Sequence, residues 1–489
     1  MFALFSDPRD PYDYELLFRG EWSRQFPALE DYKEGSQCAS LIAAWHQPSK
    51  DPTLLKSSIP KRLRFRDNDL GYQPNEKEIL LGHYLFQAWC ELHDYDPNET
   101  AKFDPVLFAE CINDNEFHQL SSKTKAVIMN NADRSDPDWR YSTVRIFAKS
   151  QHKVNENSIF GGWKACQTLA LMHDAVILVL GPVKKYQRFI RSCDRPDRIF
   201  VYATHTPQQL SDWCKKHFRA DQEVCTCNDY AAFDQSQQGE AVVFEVLKMN
   251  RDGIPVIFQE FHFFLKTHVE SQFGSLTSMR LTGEPGTYDD NTDYNIAVLA
   301  CRYFLISMAF AVSGDDSFII GTPLENPLWK AVEPLLHVQF KLEETRYPLF
   351  CGYLVGKQGA IRSPRALFAK LYIAYNDDTI DEKMASYISE FAVGHCLGDN
   401  FWLLIPPEMA VYQAACFDFF CRFAPRHLKD ALKIGEPDET MLARVYSQIQ
   451  KFQYFLWYLL PSSVRRNIRA SRPVKSRFSD DPSLLGFPN

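Results

Sequence analysis

Two carboxylates stand side by side at Asp315-Asp316, within Ala311-Val312-Ser313-Gly314-Asp315-Asp316-Ser317-Phe318-Ile319-Ile320. Adjacent carboxylates repel, and a divalent cation relieves that repulsion, so the pair is a candidate ligand set for a hard metal ion. Taken alone, Gly-Asp-Asp reads first as a solvated turn, because short motifs recur by chance. Its company upstream changes that reading. Asp229 and Asp234 lie in Asn228-Asp229-Tyr230-Ala231-Ala232-Phe233-Asp234-Gln235-Ser236, and Gly283, Gly286, Thr287 and Asn291 lie in a Gly/Pro-rich stretch running from Thr282 to Thr292.

The surrounding pattern says which elements must position these groups. Apolar residues flank Gly314 on both sides, which predicts strand, tight turn, strand, with the glycine supplying a backbone freedom other residues lack. Glu223 to Cys227 alternates like a strand, so Asp229 is expected near a strand's carboxyl end and Asp234 just beyond it, before a helical stretch. The Thr282–Thr292 loop opens onto a long helix whose apolar residues include Ile296, Val298, Leu299 and Leu305. Asp289 and Asp290 are read as acids favoured at that helix's amino terminus.

Asp-x-x-x-x-Asp, then Gly-x-x-x-Thr-x-x-x-Asn-Thr, then Ser-Gly-Asp-Asp, in that order, resembles motifs A, B and C of positive-strand RNA virus RNA-dependent RNA polymerases. The fuller wording of Asn228–Ser236 and Met279–Asn295 is most similar to the tymovirus branch of the alphavirus-like group. Phe340-Lys341-Leu342-Glu343 and Phe350-Cys351-Gly352-Tyr353 fall where motifs D and E belong, and Arg145 to Lys153 with Lys164 to Thr168 resembles motif F. The resemblance covers about residues 140 to 360 and more loosely the ends.

It implies an α+β fold of the right-hand kind. The fingers would take residues 71–220, and the palm, an antiparallel sheet with helices, 221–365 with a fingers insertion about 245–278. A helical thumb with a basic tail would take 366–489, after an amino-terminal extension over 1–70. It further implies template-directed RNA synthesis from nucleoside triphosphates. In that chemistry carboxylates from separated segments hold two divalent ions roughly 3.5–4 Å apart around the reacting phosphate. Asp229 and Asp315 would be the metal ligands and Asp316 an auxiliary one, with Mg²⁺ preferred and Mn²⁺ as an alternative. Asp234 and Asn291, helped by Thr287, would arrange hydrogen bonds around the ribose 2′-hydroxyl, the group that separates RNA from DNA precursors. Lys149, Lys153 and Lys164 would meet the incoming triphosphate, which needs cations along its path. Lys341 is the expected general acid for departing pyrophosphate. Gly283 and Gly286 would let the loop bend around template backbone. The resemblance also implies cleavage from a replication polyprotein. The implied partner carries methyltransferase, protease and helicase functions, in host cytoplasm at membrane-associated replication complexes.

Composition agrees with a soluble globular chain: 489 residues, 45% apolar and 14% aromatic. A net charge of −8 runs against the basic habit of nucleic-acid binders, so RNA contact must come from a local basic channel. Thirteen scattered cysteines suit a reducing compartment, and Cys225-x-Cys227 reads as strand packing rather than half a metal site. No secretory signal or membrane span is visible; Ala175 to Val183 is apolar but too short to cross a bilayer. Lys61 to Arg66 alternates basic and apolar residues, as RNA-contacting or solvated-edge segments do. Glu76 to Trp89 reads as a helix with Ile79, Leu80, Tyr84 and Leu85 facing a core. Gln167-Thr168 is expected to begin a helix, and Lys184, Lys185 and Arg188 form a cluster that could face template. Helical periodicity dominates from Ala366, through Leu367, Leu371, Met384, Ile388 and Val411–Phe423. An aromatic run over Phe452–Leu460 and a basic tail from Arg465 follow.

A reverse transcriptase also carries paired acids on a palm hairpin, usually after an aromatic-x pair rather than Ser-Gly. A non-catalytic RNA-binding replication subunit would not need its acids intact.

Overall fold

The computed structural model describes residues 58–66, 72–121, 139–148, 167–376, 378–429, 432 and 459–460. The expectations on residues 1–57, on Lys149, Lys153 and Lys164, on most of the aromatic run and on the basic tail lie outside them. The chain divides into two compact units, Met1–Ala360 and Ile361–Asn489.

In chain order the first unit holds α1 (Glu76–Leu92), α2 (Pro105–Ser121), β1 (Thr143–Ala148), β2 (Thr168–Leu171), α3 (Asp174–Asp194), β3 (Ile199–Val201), α4 (Pro207–His217) and β4 (Cys225–Ala231). There follow α5 (Gly239–Arg251), α6 (Val256–His268), β5 (Glu270–Ser271), β6 (Gly274–Ser275), α7 (Thr287–Arg302), β7 (Phe310–Ser313), β8 (Asp316–Ile320), β9 (Gln339–Thr345), β10 (Leu349–Phe350) and β11 (Tyr353–Gly356).

A five-stranded sheet in the order β3-β7-β8-β4-β9 carries the three acids. The expected antiparallel arrangement holds for β7, β8, β4 and β9, whereas β3 joins β7 in parallel, so the sheet is mixed. Side chains alternate along a strand, and the two faces bury different sets. Tyr230, Val312 and Ile319 face a core shared with α1 and α7, while Cys225, Phe318 and Phe350 face a second core with Leu210 and Trp213 of α4. Cys225 and Cys227 thus serve as strand-borne packing. A four-stranded sheet, β2-β1-β5-β6, stands apart from it and covers its own apolar cluster with Val176 and Leu180 of α3.

Four local expectations need correction. Gln167-Thr168 does not begin a helix: residues 168–171 form β2, paired antiparallel with β1 from Arg145↔Leu171 to Ala148↔Thr168. The helix starts at Asp174, where the His173 ring accepts the Ala175 N–H. In α1 the buried face runs through Leu81, Leu85, Phe86 and Trp89, leaving Ile79 and Leu80 exposed. The cause is Gly82, which lies so close to α5 that a Cβ there would stand 2.7 Å from Val243. Leu305 is buried beyond the end of α7, not in it. Arg64 is half-buried rather than on a solvated edge; its guanidinium donates to the Gln235 and Gln237 carbonyls at 2.7 and 2.8 Å.

The second unit, described by itself, packs α8 (Pro364–Asn376), α9 (Ile380–His395) and α10 (Ala410–Phe423) around Leu367, Leu371, Met384, Ile388, Phe391, Cys416 and Phe420. The helical period read from the sequence supplies that apolar stripe. No helix among the described residues is long and apolar enough to cross a membrane.

Candidate active site

The Gly314-Asp315 turn joins β7 to β8, with Ser313 paired to Asp316 across it and Gly314 at φ +63°. On the other side of β8, Asn228 pairs with Ser317, so one further step along β4 sets Asp229 across from Asp316. Directly opposed residues of antiparallel strands point to one face. Asp229 and the 315–316 turn, far apart in the chain, therefore meet at one end of the sheet.

Their electrostatics reflect that meeting. Burial raises the Asp315 carboxyl above its ordinary range, and the charges of Asp229 and Asp234 raise it further. Burial also pushes Asp316 up to about 7, with Asp315 and Asp229 adding to the rise. Part of the strain is relieved by protein donors: the Cys351 N–H donates to Asp316 Oδ2 at 2.8 Å, and Lys341 Nζ donates to Asp229 Oδ2 at 3.0 Å. Lys341 is the register partner of Asp229 on β9, and both side chains are exposed. Cys351 and Gly352, at φ +50° and +80°, form the tight turn of the β10–β11 hairpin. Among the described residues no group of three or more His, Cys, Asp or Glu side chains is gathered closely enough to hold an ion by itself. Lys341 and the Cys351 amide each occupy one carboxylate. The all-oxygen, mutually repelling donor set, with Asp315 and Asp316 partly desolvated, nonetheless has the chemistry of a hard divalent cation's site.

A cavity of about 780 Å³ opens beside the turn, lined by Asp315, Asp234, Asn291, Thr282, Tyr288 and Arg188 among others. Asp234 sits in the single helical turn after β4, Phe233–Ser236, entered through Ala232 at φ +51°. Its Oδ1 accepts from Asn291 Nδ2 at 2.9 Å and its Oδ2 from the Thr282 hydroxyl at 3.2 Å. Thus the second aspartate of motif A and the asparagine of motif B are joined directly. Thr287 lines the same cavity, but its hydroxyl lies 2.7 and 2.8 Å from the Leu281 and Glu284 carbonyls. It closes the loop rather than touching Asn291. Gly283 at φ +113° lies against β2, where a Cβ would stand 2.5 Å from the Ala170 carbonyl oxygen. Gly286 at φ +79° lies against the Lys184 stem, 2.6 Å from such a Cβ.

The α3 cations meet acids of this chain. Lys184 pairs with Asp290 at 2.8 Å, Lys185 with Asp114, and Arg188 clasps both oxygens of Asp289 at 2.9 and 2.7 Å. Asp289 and Asp290 do stand in the first turn of α7, as expected, but their partners are these side chains. Lys248 of α5 bonds Asp293 at 2.8 Å and Asp290 at 3.2 Å, extending the buried ionic layer behind the cavity.

Sequence reading does not reach four further residues. Helix α7 grips the Gly314-Asp315 turn by its backbone: Thr292 Oγ1 accepts the Gly314 N–H at 2.9 Å, and Asn295 Nδ2 donates to the Gly314 carbonyl at 3.0 Å. Asn295 Oδ1 in turn accepts from the Tyr230 hydroxyl at 2.8 Å, which ties in β4. Their signal was present: Asn291 and Asn295 stand four apart, two amides that share one buried face of the helix. Gln237 and Arg280 support Asn291 from behind and had no comparable signal.

Comparison with known proteins agrees with this geometry. Residues 94–387 match the model of a family described as RNA dependent RNA polymerase. The chain is 51% identical over 480 residues to the non-structural replication polyprotein of Turnip yellow mosaic virus, covering 97% of this chain and 26% of that polyprotein. It is 54% identical over 432 residues to the corresponding polyprotein of Grapevine fleck virus (isolate Italy/MT48), covering 88% of this chain and 22% of that one. Against the RNA replication protein of Strawberry mild yellow edge-associated virus it is 30% identical over 368 residues, 73% of this chain and 27% of that protein. The chain therefore spans about a quarter of the length of these relatives. With the motif residues gathered at one sheet end and the matched region enclosing them, the chain belongs to the RNA-dependent RNA polymerase family, as a tymovirus-like member.

Proposed function

We propose that this chain carries out template-directed RNA synthesis from nucleoside triphosphates, extending a growing strand to copy a viral genome. The observation that carries it is the meeting of Asp229 with the Asp315-Asp316 turn beside a cavity walled by Asp234 and Asn291. Asp229 and Asp315 hold divalent ions, Mg²⁺ by preference with Mn²⁺ as the alternative, and Asp316 assists. Bound there, such ions supply Lewis-acid activation of the attacking 3′-oxygen and neutralise the leaving pyrophosphate. The chain's own groups do the rest. Asp234 accepts from, and Asn291 donates to, the ribose 2′-hydroxyl; a deoxynucleotide leaves both unmatched. Lys341, beside Asp229, delivers a proton to the departing pyrophosphate oxygen. Lys149, Lys153 and Lys164 draw in the triphosphate, and the loop carrying Gly283 and Gly286 lies along template.

In this reading residues 71–220 form fingers, 221–365 the palm with an insertion at about 245–278, and 366–489 the thumb, after an extension over 1–70. The helical unit that begins at Ile361 is consistent with the last of these. The chain works as a product of a replication polyprotein with its methyltransferase, protease and helicase portion, at membrane-associated complexes in host cytoplasm.

Primer extension on a homopolymer RNA template with Mg²⁺, comparing wild type with Asp229→Asn and Asp315→Ala, tests it. Extension is lost in both while RNA binding persists. Elongation by either variant, or ready use of deoxynucleotides by the wild type, overturns the assignment.

A further inference from the structure

We propose that Gln237, backed by Arg280, is a positioning residue for sugar selection: it fixes which end of the Asn291 amide faces Asp234. The inference rests on the reading of Asp234 and Asn291 as the ribose-sensing pair.

The two ends of an amide differ in chemistry, one accepting and one donating, yet they are nearly equal in shape. A buried asparagine that must donate therefore needs something to set its direction. Here that direction is set from both sides, by the Asp234 carboxylate, which can only accept, and by a guanidinium, which can only donate. Arg280 is 1% exposed and fixed by Glu245 and Glu284 through ion pairs. Its Nε and Nη2 lie 3.2 and 3.1 Å from Gln237 Oε1. Gln237 must therefore turn its oxygen to Arg280 and its NH₂ the other way. That NH₂ donates to Asn291 Oδ1 at 2.6 Å. Asn291 must then turn its own oxygen to Gln237 and its NH₂ to Asp234 Oδ1, at 2.9 Å. The polarity of the cavity wall, amide donor beside carboxylate acceptor, is thus held at one end by Asp234 and at the other, step by step, by Arg280.

Gln237 is 0% exposed and absent from the cavity lining, so it does not touch substrate. Its backbone is also held, because Arg64 donates to the Gln235 and Gln237 carbonyls and the Arg280 N–H donates to the Asp234 carbonyl at 3.2 Å. The chain of groups is consequently rigid from Arg280 to Asp234, as a pre-organised site requires.

Gln237→Glu is the informative change. It keeps size and strengthens the contact to Arg280, but a carboxylate cannot donate to Asn291. Asn291 then lies between two groups that only accept, so one end of its amide is mismatched in either orientation and its direction is no longer fixed. Gln237→Leu removes the relay without adding a competing acceptor and serves as the second variant.

The assay is steady-state incorporation of one ribonucleotide and its 2′-deoxy counterpart on an RNA primer–template, read as kcat/KM for each. In both variants the ribo-to-deoxy ratio falls about tenfold or more, the consequence of one lost or misdirected buried hydrogen bond. The loss appears in KM and kcat for the ribonucleotide, with deoxynucleotide use little changed and thermal unfolding of Gln237→Glu near that of the wild type. In an Asn291→Ala background, adding Gln237→Leu changes the ratio no further. If Asn291→Ala lowers the ratio while both Gln237 variants keep the wild-type ratio, the relay is wrong and the sugar reading stands. If Asn291→Ala itself leaves the ratio unchanged, the sugar reading falls and the relay with it.

Discussion

Replacing Asn295 by leucine separates the Gly314-Asp315 turn from the helix that holds it. Asn295 is 0% exposed and bridges two buried groups, accepting from the Tyr230 hydroxyl at 2.8 Å and donating to the Gly314 carbonyl at 3.0 Å. Leucine is of similar volume, so little cavity is created. It leaves one donor and one acceptor without partners, at about 1–3 kcal/mol each. The expected loss of unfolding free energy is therefore about 2–5 kcal/mol, read from urea denaturation. Adding Tyr230→Phe removes the orphaned hydroxyl and recovers part of that loss, so the double-mutant cycle returns a coupling of about 1 kcal/mol or more. Catalysis should suffer beyond stability. Gly314 immediately precedes Asp315, and a displacement of about 1 Å in a catalytic group costs on the order of a hundredfold in rate. Single-nucleotide extension, measured under conditions where the variant is fully folded, should fall by about that factor. Thr292→Val, which removes the acceptor of the Gly314 N–H, should act in the same direction. Full-rate extension by folded Asn295→Leu would refute the claim that α7 positions the turn.

Glu240 gives a pH dependence unrelated to the metal site. Burial raises its carboxyl from 4.5 to about 7, although the Gln238 N–H and the Tyr294 hydroxyl donate to it. The unfolded chain ionises first as pH rises, so folded stability falls from about pH 4.5 and levels off above about 7. Glu240→Gln should therefore stabilise by up to about 3 kcal/mol at pH 8, with the gain shrinking below about 1 kcal/mol at pH 5; an equal gain at both pH values in thermal unfolding would contradict it. Gly283→Ala should destabilise by about 3 kcal/mol, because a side chain at φ +113° is strained and its Cβ would press on the Ala170 carbonyl. The observable is the urea midpoint, and a change under about 1 kcal/mol would show that β2 yields.

The sequence alone determined the chemistry-bearing residues and their local settings. Strand-turn-strand around Gly314 and the strand leading to Asp229 were both legible, because alternation and turn residues act over a few positions. The helical stripe of Leu367, Leu371, Met384 and Ile388 was legible for the same reason. Only tertiary structure decided what depends on distant partners. Residues 168–171 became strand because β1 lies beside them, and α1 turned Leu81 rather than Leu80 inward because Gly82 lets α5 approach. Arg64, Lys184 and Arg188, read as cations available to RNA, find carbonyls and carboxylates that only the fold brings near. The direction of the Asn291 amide belongs to this second class. It depends on a guanidinium eleven positions away in the chain, and no local pattern encodes which end of an amide that charge will choose.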